Sequence, residues 1–242
     1  MEEVLIAVGI GAAALIAAIV AGIAGFGGAV IMLPILTWAF GIREAVPIVT
    51  VSQLIGNLSR TWFNREGISP TLVGWFALGA VPTAAIGGVV FASAPTTALA
   101  RAIGAYLLLV VVCRHSGWWH KLRIGPRGFL PVGAAAGFIS AIVGMVGPFI
   151  APFFLAYGLV KSAYVGTEAL ATVTMHVTKL GAYGSYDLLE PFILLAGLGI
   201  GAVMFAGSYI GRQLLDRVPE RWFPYLIEGV LAVAGVLFLV RG

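Results

Sequence analysis

Two basic side chains stand in unusually polar helical stretches of a chain otherwise apolar enough for a lipid bilayer. Arg60 closes TVSQLIGNLSR and Lys179 lies in TVTMHVTKLG. Ionisable groups at membrane depth are costly and mark functional paths. The two cations are 119 residues apart, and the same shift sets Asn57 against His176 (179 − 60 and 176 − 57). Ser52, Gln53, Asn57, Thr172 and His176 supply neutral hydrogen-bond donors nearby. Paired positive charges with neutral donors suit a small anion. Each residue also has a structural reading. Long basic chains near helix ends reach headgroups, an explanation that fits Arg60 beside Trp62 and Arg65. Hydroxyls and amides bridge helices, and a buried histidine commonly just satisfies a hydrogen bond. Glu168 follows Thr167 at an expected helix start, where a carboxylate answers the helix dipole. His176 and Glu168 are also the candidates for proton coupling.

Something must bring these two stretches together. Upstream of each lies an apolar run broken by glycine: GIAGFGGAVIMLPIL (Gly22–Leu36) and GFISAIVGMVGPFIAPFFL (Gly137–Leu155). Glycine lowers helix stability by about 1 kcal/mol relative to alanine, and interior proline removes a backbone bond. The spacing predicts helical pieces over Val4–Ala24 and Ala29–Phe40, then Phe129–Val143 and Pro148–Tyr157. Unwound backbone at membrane depth survives only where protein or a wet cavity covers it. Amide groups around Gly27, Gly28 and Ala29, and around Gly147, Pro148 and Phe149, would then face such a cavity at helix N-termini, which attract anions. Gly25 and Gly28 match Gly144 and Gly147 at the 119-residue shift. Two corresponding broken helices are a pointer to a transport site.

The 242-residue chain is 60% hydrophobic and only 10% charged, against about 25% charged for soluble domains. The composition makes it an all-α polytopic membrane protein embedded in lipid, and its net charge of +4 reflects basic loops rather than nucleic-acid binding. The first apolar run lacks a basic leader region and reads as retained. The lone Cys113 excludes an internal disulfide framework. No hydrolase, kinase or redox motif and no phosphate loop is visible, so the reading is a non-enzyme with no cofactor, no metal and no catalytic residue.

Further spans are expected at Ile48–Phe63 (polar, after a turn at Gly41–Pro47), Thr71–Phe91, Thr97–Cys113, Ala163–Tyr183 (polar), Pro191–Ile210 and Trp222–Val240, with a charged loop at Arg212–Arg221. The basic stretch 114–127 divides a first repeat, 1–113, from a second, 128–242. His115, Trp118, Trp119 and His120 there read as an interfacial anchor. Glu228 in the last span has no evident partner. If each broken pair returns to the side it entered from, Arg60, Arg65, Arg114, Lys121, Arg123, Arg127, Lys161, Arg212, Arg217 and Arg221 share one side. Arg43, Arg101, Lys179 and Arg241 share the other, ten against four. A single crossing per pair gives only eight against six, so the first arrangement is favoured. It places the linker in the cytoplasm and both termini in the periplasm. The halves then become inverted-topology repeats, each with a broken helix pair plus three transmembrane helices.

At GFGGAVIMLPIL with GNLSR, and at GMVGPFIAPF with GTEA and HVTKLGAYG, the chain resembles the TauE/SafE family of membrane permeases, the sulfite exporters. Ala29 and Val146 stand where that family commonly has further glycines. The resemblance implies an inner-membrane bacterial permease for sulfite or a sulfonate such as sulfoacetate. Import or export, the coupling ion and a homodimeric state stay open. So do two alternatives: an anion channel on the same scaffold, and a non-transporting scaffold or assembly factor.

Overall fold

The computed structural model describes residues 1–115, 122–217, 219 and 222. Helix α1 spans Glu2–Ala24 and stops because Gly25 turns left-handed, with φ of 82°. Any residue but glycine there meets Cβ–carbonyl crowding. Helix α2, Gly28–Phe40, starts three residues after Gly25. The second half does the same: α6 runs Phe129–Val143, Gly144 turns at φ 83°, and α7 covers Gly147–Ala156. The polar helices are α3, Ile42–Phe63, and α8, Lys161–Gly184. Three boundaries therefore recur 119 residues apart: Ala24 with Val143, Gly28 with Gly147, and Ile42 with Lys161. Helices α4 (Pro70–Ser93), α5 (Thr96–His115) and α9 (Pro191–Arg217) complete the described fold.

The breaks fall within a residue or so of the expected pieces, but two expectations need correction. No turn occupies Gly41–Pro47. Gly41 alone separates α2 from α3, and Pro47 lies inside α3. In the second turn its missing N–H leaves few backbone bonds unmade. Residues Arg212–Arg217 belong to α9 rather than to a charged loop. There Arg212 pairs with Asp216 one turn on, and its Nε donates to the Phe63 carbonyl at 3.1 Å. The expected span Trp222–Val240, with Glu228, and the side chains of the His115–His120 anchor lie outside the described residues.

Helices α1, α4 and α9, together with 126–143 through α6, are each long and apolar enough to cross a membrane. The α3 and α8 helices are too polar to pass as spans by hydropathy, and the packing explains why. They pack against each other, with α9 lying on α3 and α4 on α8, while α1 packs on α9 and α6 on α4. Thr50, Ser52, Gln53, Asn57, Ser59 and Arg60 of α3, and Thr167, Glu168, Thr172, His176 and Lys179 of α8, are buried in protein rather than in lipid. Helix α4 meets α6 so closely that a Cβ on Gly133 would overlap the Phe76 carbonyl, and one on Gly79 the Leu130 carbonyl. Small residues allow such backbone contact where lipid supplies no hydrophobic drive to associate.

One end of the bundle is tied by Asn64, which accepts from Ser162 Oγ at 2.9 Å, and by the Ser69 amide, which donates to Thr167 Oγ1 at 3.0 Å. These bonds set Arg65, Lys161 and Arg212 at the same end. Arg43 marks the other end, donating to the Ala92 and Ala94 carbonyls at the close of α4.

Candidate functional site

The two breaks meet. A Cβ on Gly147 would fall on Phe26, so the first break packs directly against the start of α7. Around them lies a small cavity lined by Phe26–Val30 of the first break, Gly144–Gly147 of the second, and Gln53, Asn57, Arg60, Ser140, Glu168, Thr172 and His176. Its free volume, about 30 Å³, is room for one or two waters.

Arg60 is only 3% exposed, which overturns the headgroup-reaching reading. Its Nη1 donates to the carbonyls of Ala21, at 3.2 Å, and Gly25, and its Nη2 donates to Asn57 Oδ1. The guanidinium thus caps the C-terminal carbonyls of α1, where a cation answers the negative end of the dipole. Among the described residues, two of its five N–H groups, on Nε and Nη2, stay unspent. Lys179 does the same for α6: its Nζ donates to Ser140 Oγ at 3.0 Å and to the Ser140 carbonyl at 3.3 Å. Ala21 and Ser140 are themselves 119 residues apart, as are the two cations. The basic residues therefore hold the broken helices by their ends, a role the sequence reading did not assign. Only Arg60 of the two borders the cavity.

The two helix starts differ in what they offer. The Gly28, Ala29 and Val30 amides open α2 and have no acceptor within that helix. In α7, Pro148 has no N–H and the Phe149 amide donates to the Val146 carbonyl at 2.9 Å, so of the expected trio only the Gly147 N–H remains. The expected cradle is one-sided: its donors come from α2.

Among the side chains, Gln53, Asn57, Thr172 and His176 reach the cavity, whereas Ser52, Pro148, Phe149 and Lys179 do not border it. The Ser52 and Thr172 hydroxyls donate back to the Val49 and Glu168 carbonyls of their own helices, so their protons are committed. Asn57, its Oδ1 taken by Arg60, keeps its Nδ2 as a donor. The Gln53 amide lies against Gly28 and donates to Met204 Sδ at 3.7 Å. His176 is 3% exposed, and among the described residues its Nδ1 has no hydrogen-bond partner, so its ring is not fully satisfied. Glu168 sits in the second turn of α8, not at its start. It is 2% exposed and 3.7 Å from Arg60 Nη1, so it pairs with a guanidinium rather than capping a helix. Phe26, Val30, Ser140, Gly144, Met145 and Val146 were not foreseen. Gly144 and Val146 belong to the break that the sequence marks, and Ser140 lies one turn before it, whereas the side chains of Phe26, Val30 and Met145 carry no such signal.

The arrangement joins free backbone amides, an arginine and a histidine whose Nδ1 is unpaired among the described residues around one buried void. A family profile described as sulfite exporter TauE/SafE matches residues 10–238. The chain belongs to that family. The match covers both breaks and both polar helices, so the sulfite exporter TauE/SafE membership extends to the whole site. The chain is also 24% identical, over 89% of its length and 92% of the relative's, to a protein of Bacillus subtilis (strain 168) described as a probable membrane transporter protein, YjnA. No solved structure matches the chain. As a TauE/SafE member it is a multi-helix membrane permease.

Proposed function

We propose that the chain is a secondary transporter that carries a small sulfur oxyanion, sulfite or a sulfonate such as sulfoacetate, by alternating access. The observation that carries this reading is the α2 N-terminus, whose unspent Gly28, Ala29 and Val30 amides open onto the void that also holds Arg60. Helix N-termini favour negative charge. Asn57 Nδ2 and His176 add side-chain donors, and Gln53 lies within reach. Arg60 offers its two unspent N–H groups, while Lys179 acts from behind α6. The cavity is too small for a sulfonate as it stands, so occupancy requires the breaks to separate. The recurrence of helix boundaries and cation caps at 119 residues supports two inverted repeats that rock against each other about this point. Grouping of Arg65, Lys161 and Arg212 at one end supports a cytoplasmic assignment for that end, with both termini on the periplasmic face of the inner membrane. His176 and Glu168 are the groups placed to couple transport to protons.

The test is uptake of ³⁵S-labelled sulfite and sulfoacetate into proteoliposomes, with sulfate and acetate as competitors. Saturable uptake that falls at least tenfold in His176→Leu supports the reading. Flux that never saturates, with single-channel conductance, would establish the channel alternative. An absence of flux and of anion-dependent thermal stabilisation would leave a scaffold.

A further inference from the structure

Glu168 is more than an anion site needs. Its carboxylate borders the cavity, and Oε2 accepts no hydrogen bond among the described residues. The nearest cation, Arg60 Nη1, is 3.7 Å away, within ion-pairing range but beyond hydrogen-bonding distance. That guanidinium spends its bonds on Ala21, Gly25 and Asn57 instead. The carboxylate is a loosely held ligand of a cation that is itself tightly held. The 119-residue shift puts Val49 in its place in the first half. Lys179, the counterpart of Arg60, meets the neutral oxygens of Ser140. One carboxylate thus serves one cation at one side of the cavity.

Resting on the anion-transport reading above, we propose that the substrate anion and the Glu168 carboxylate alternate at Arg60, so that each anion crosses with one proton on Glu168. Without an anion, Arg60 and Glu168 neutralise each other. An anion entering beside an ionised Glu168 would leave one uncompensated negative charge in a site that excludes bulk water, and such burial is strongly unfavourable. A proton drawn from the side of entry onto a Glu168 carboxyl oxygen removes that charge, and the freed guanidinium takes the anion. On the other side the anion and the proton both leave, and the carboxylate returns to Arg60. A singly charged anion therefore crosses with no net charge.

Few other groups can supply or take the balancing charge. Arg60 faces Glu168 from α3, and Tyr164, His176 and Lys179 share its own helix. Helices α4, α6 and α7 bring no titratable side chain, and α1 brings only Glu2 and Glu3 at its far end. Arg65 and Glu66, before α4, and Arg212, Asp216 and Arg217 of α9 lie at the end of the bundle.

The test uses methanesulfonate, which stays ionised at every pH used, so any accompanying proton is carried by the protein. Wild-type chain in liposomes with internal pyranine should take up one proton per ³⁵S-methanesulfonate, at a rate unaffected by a valinomycin-clamped potential. Glu168→Gln should take up less than a tenth as many protons per anion, and its uptake should become driven by an inside-positive potential. Wild-type uptake without protons overturns the proposal, whether or not the variant folds. So does a folded Glu168→Gln that keeps the wild-type ratio. Sulfite uptake by a chain that moves methanesulfonate without protons would overturn this inference alone, whereas no uptake of any anion would overturn the transport reading itself.

Discussion

Breaking the Arg60–Glu168 pair in a double-mutant cycle gives the most direct measure of what holds the site. At 3.7 Å, two unit charges attract by about 4.5 kcal/mol at an effective dielectric of about 20. Neither side chain is more than 4% exposed, so water does little to screen them. Arg60→Met leaves the Glu168 charge buried alone, at about 3–5 kcal/mol. It also uncaps the Gly25 carbonyl, which adds about 1–2 kcal/mol, while Ala21 keeps the Gly25 amide as donor. Glu168→Gln leaves Arg60 its three neutral acceptors, so its cost lies near the low end, about 3 kcal/mol. The double variant buries no lone charge. It should recover about 2–3 kcal/mol relative to the sum of the single losses. The assay is reversible unfolding in mixed micelles titrated with dodecyl sulfate, read by tryptophan fluorescence. Additivity within about 0.5 kcal/mol would show that the two groups do not interact, and the reasoning about charge balance in the cavity would fail.

The other outcomes concern the breaks and the crossings. Gly25→Ala should cost about 1–2 kcal/mol from the left-handed backbone alone and more from overlap with the Tyr164 ring. Gly144→Ala has the same backbone, but a Cβ there meets Val46 at 3.3 Å and Leu33 at 3.4 Å, so the gap in unfolding free energy between the two variants should exceed about 1 kcal/mol. Gly133→Ala presses a methyl into the Phe76 carbonyl and should lower stability by about 1–3 kcal/mol, whereas Gly74→Ala, which meets nothing, should not. Ser140→Ala removes the closer acceptor of the Lys179 ammonium and should cost about 1.5–3 kcal/mol; a near-wild-type unfolding midpoint would argue against Lys179 as the cap of α6.

Much of this was legible in sequence because glycine at fixed spacing reports backbone directly. Gly25 and Gly144 end their helices where the pattern put the breaks, and the shift that paired them also paired Arg60 with Lys179. What the sequence left hidden was direction. Nothing in the stretches NLSRTWF and HVTKLG tells whether a cation reaches outward to headgroups or inward to a carbonyl, and here both turn inward to helix ends. The pattern could not separate a glutamate that caps its own helix from one that meets an arginine 108 residues away, because both follow a threonine. Equally, Phe149 looked like an amide donor until the tight turn at Val146 claimed its N–H.

The place of Val49 opposite Glu168 says something about chain architecture. Two identical halves assembled as separate subunits would hold their acidic groups in even number, one beside each cation. A single polypeptide escapes that parity. By joining the halves it lets an odd carboxylate exist, and with it a cavity whose two walls are related in backbone yet different in charge.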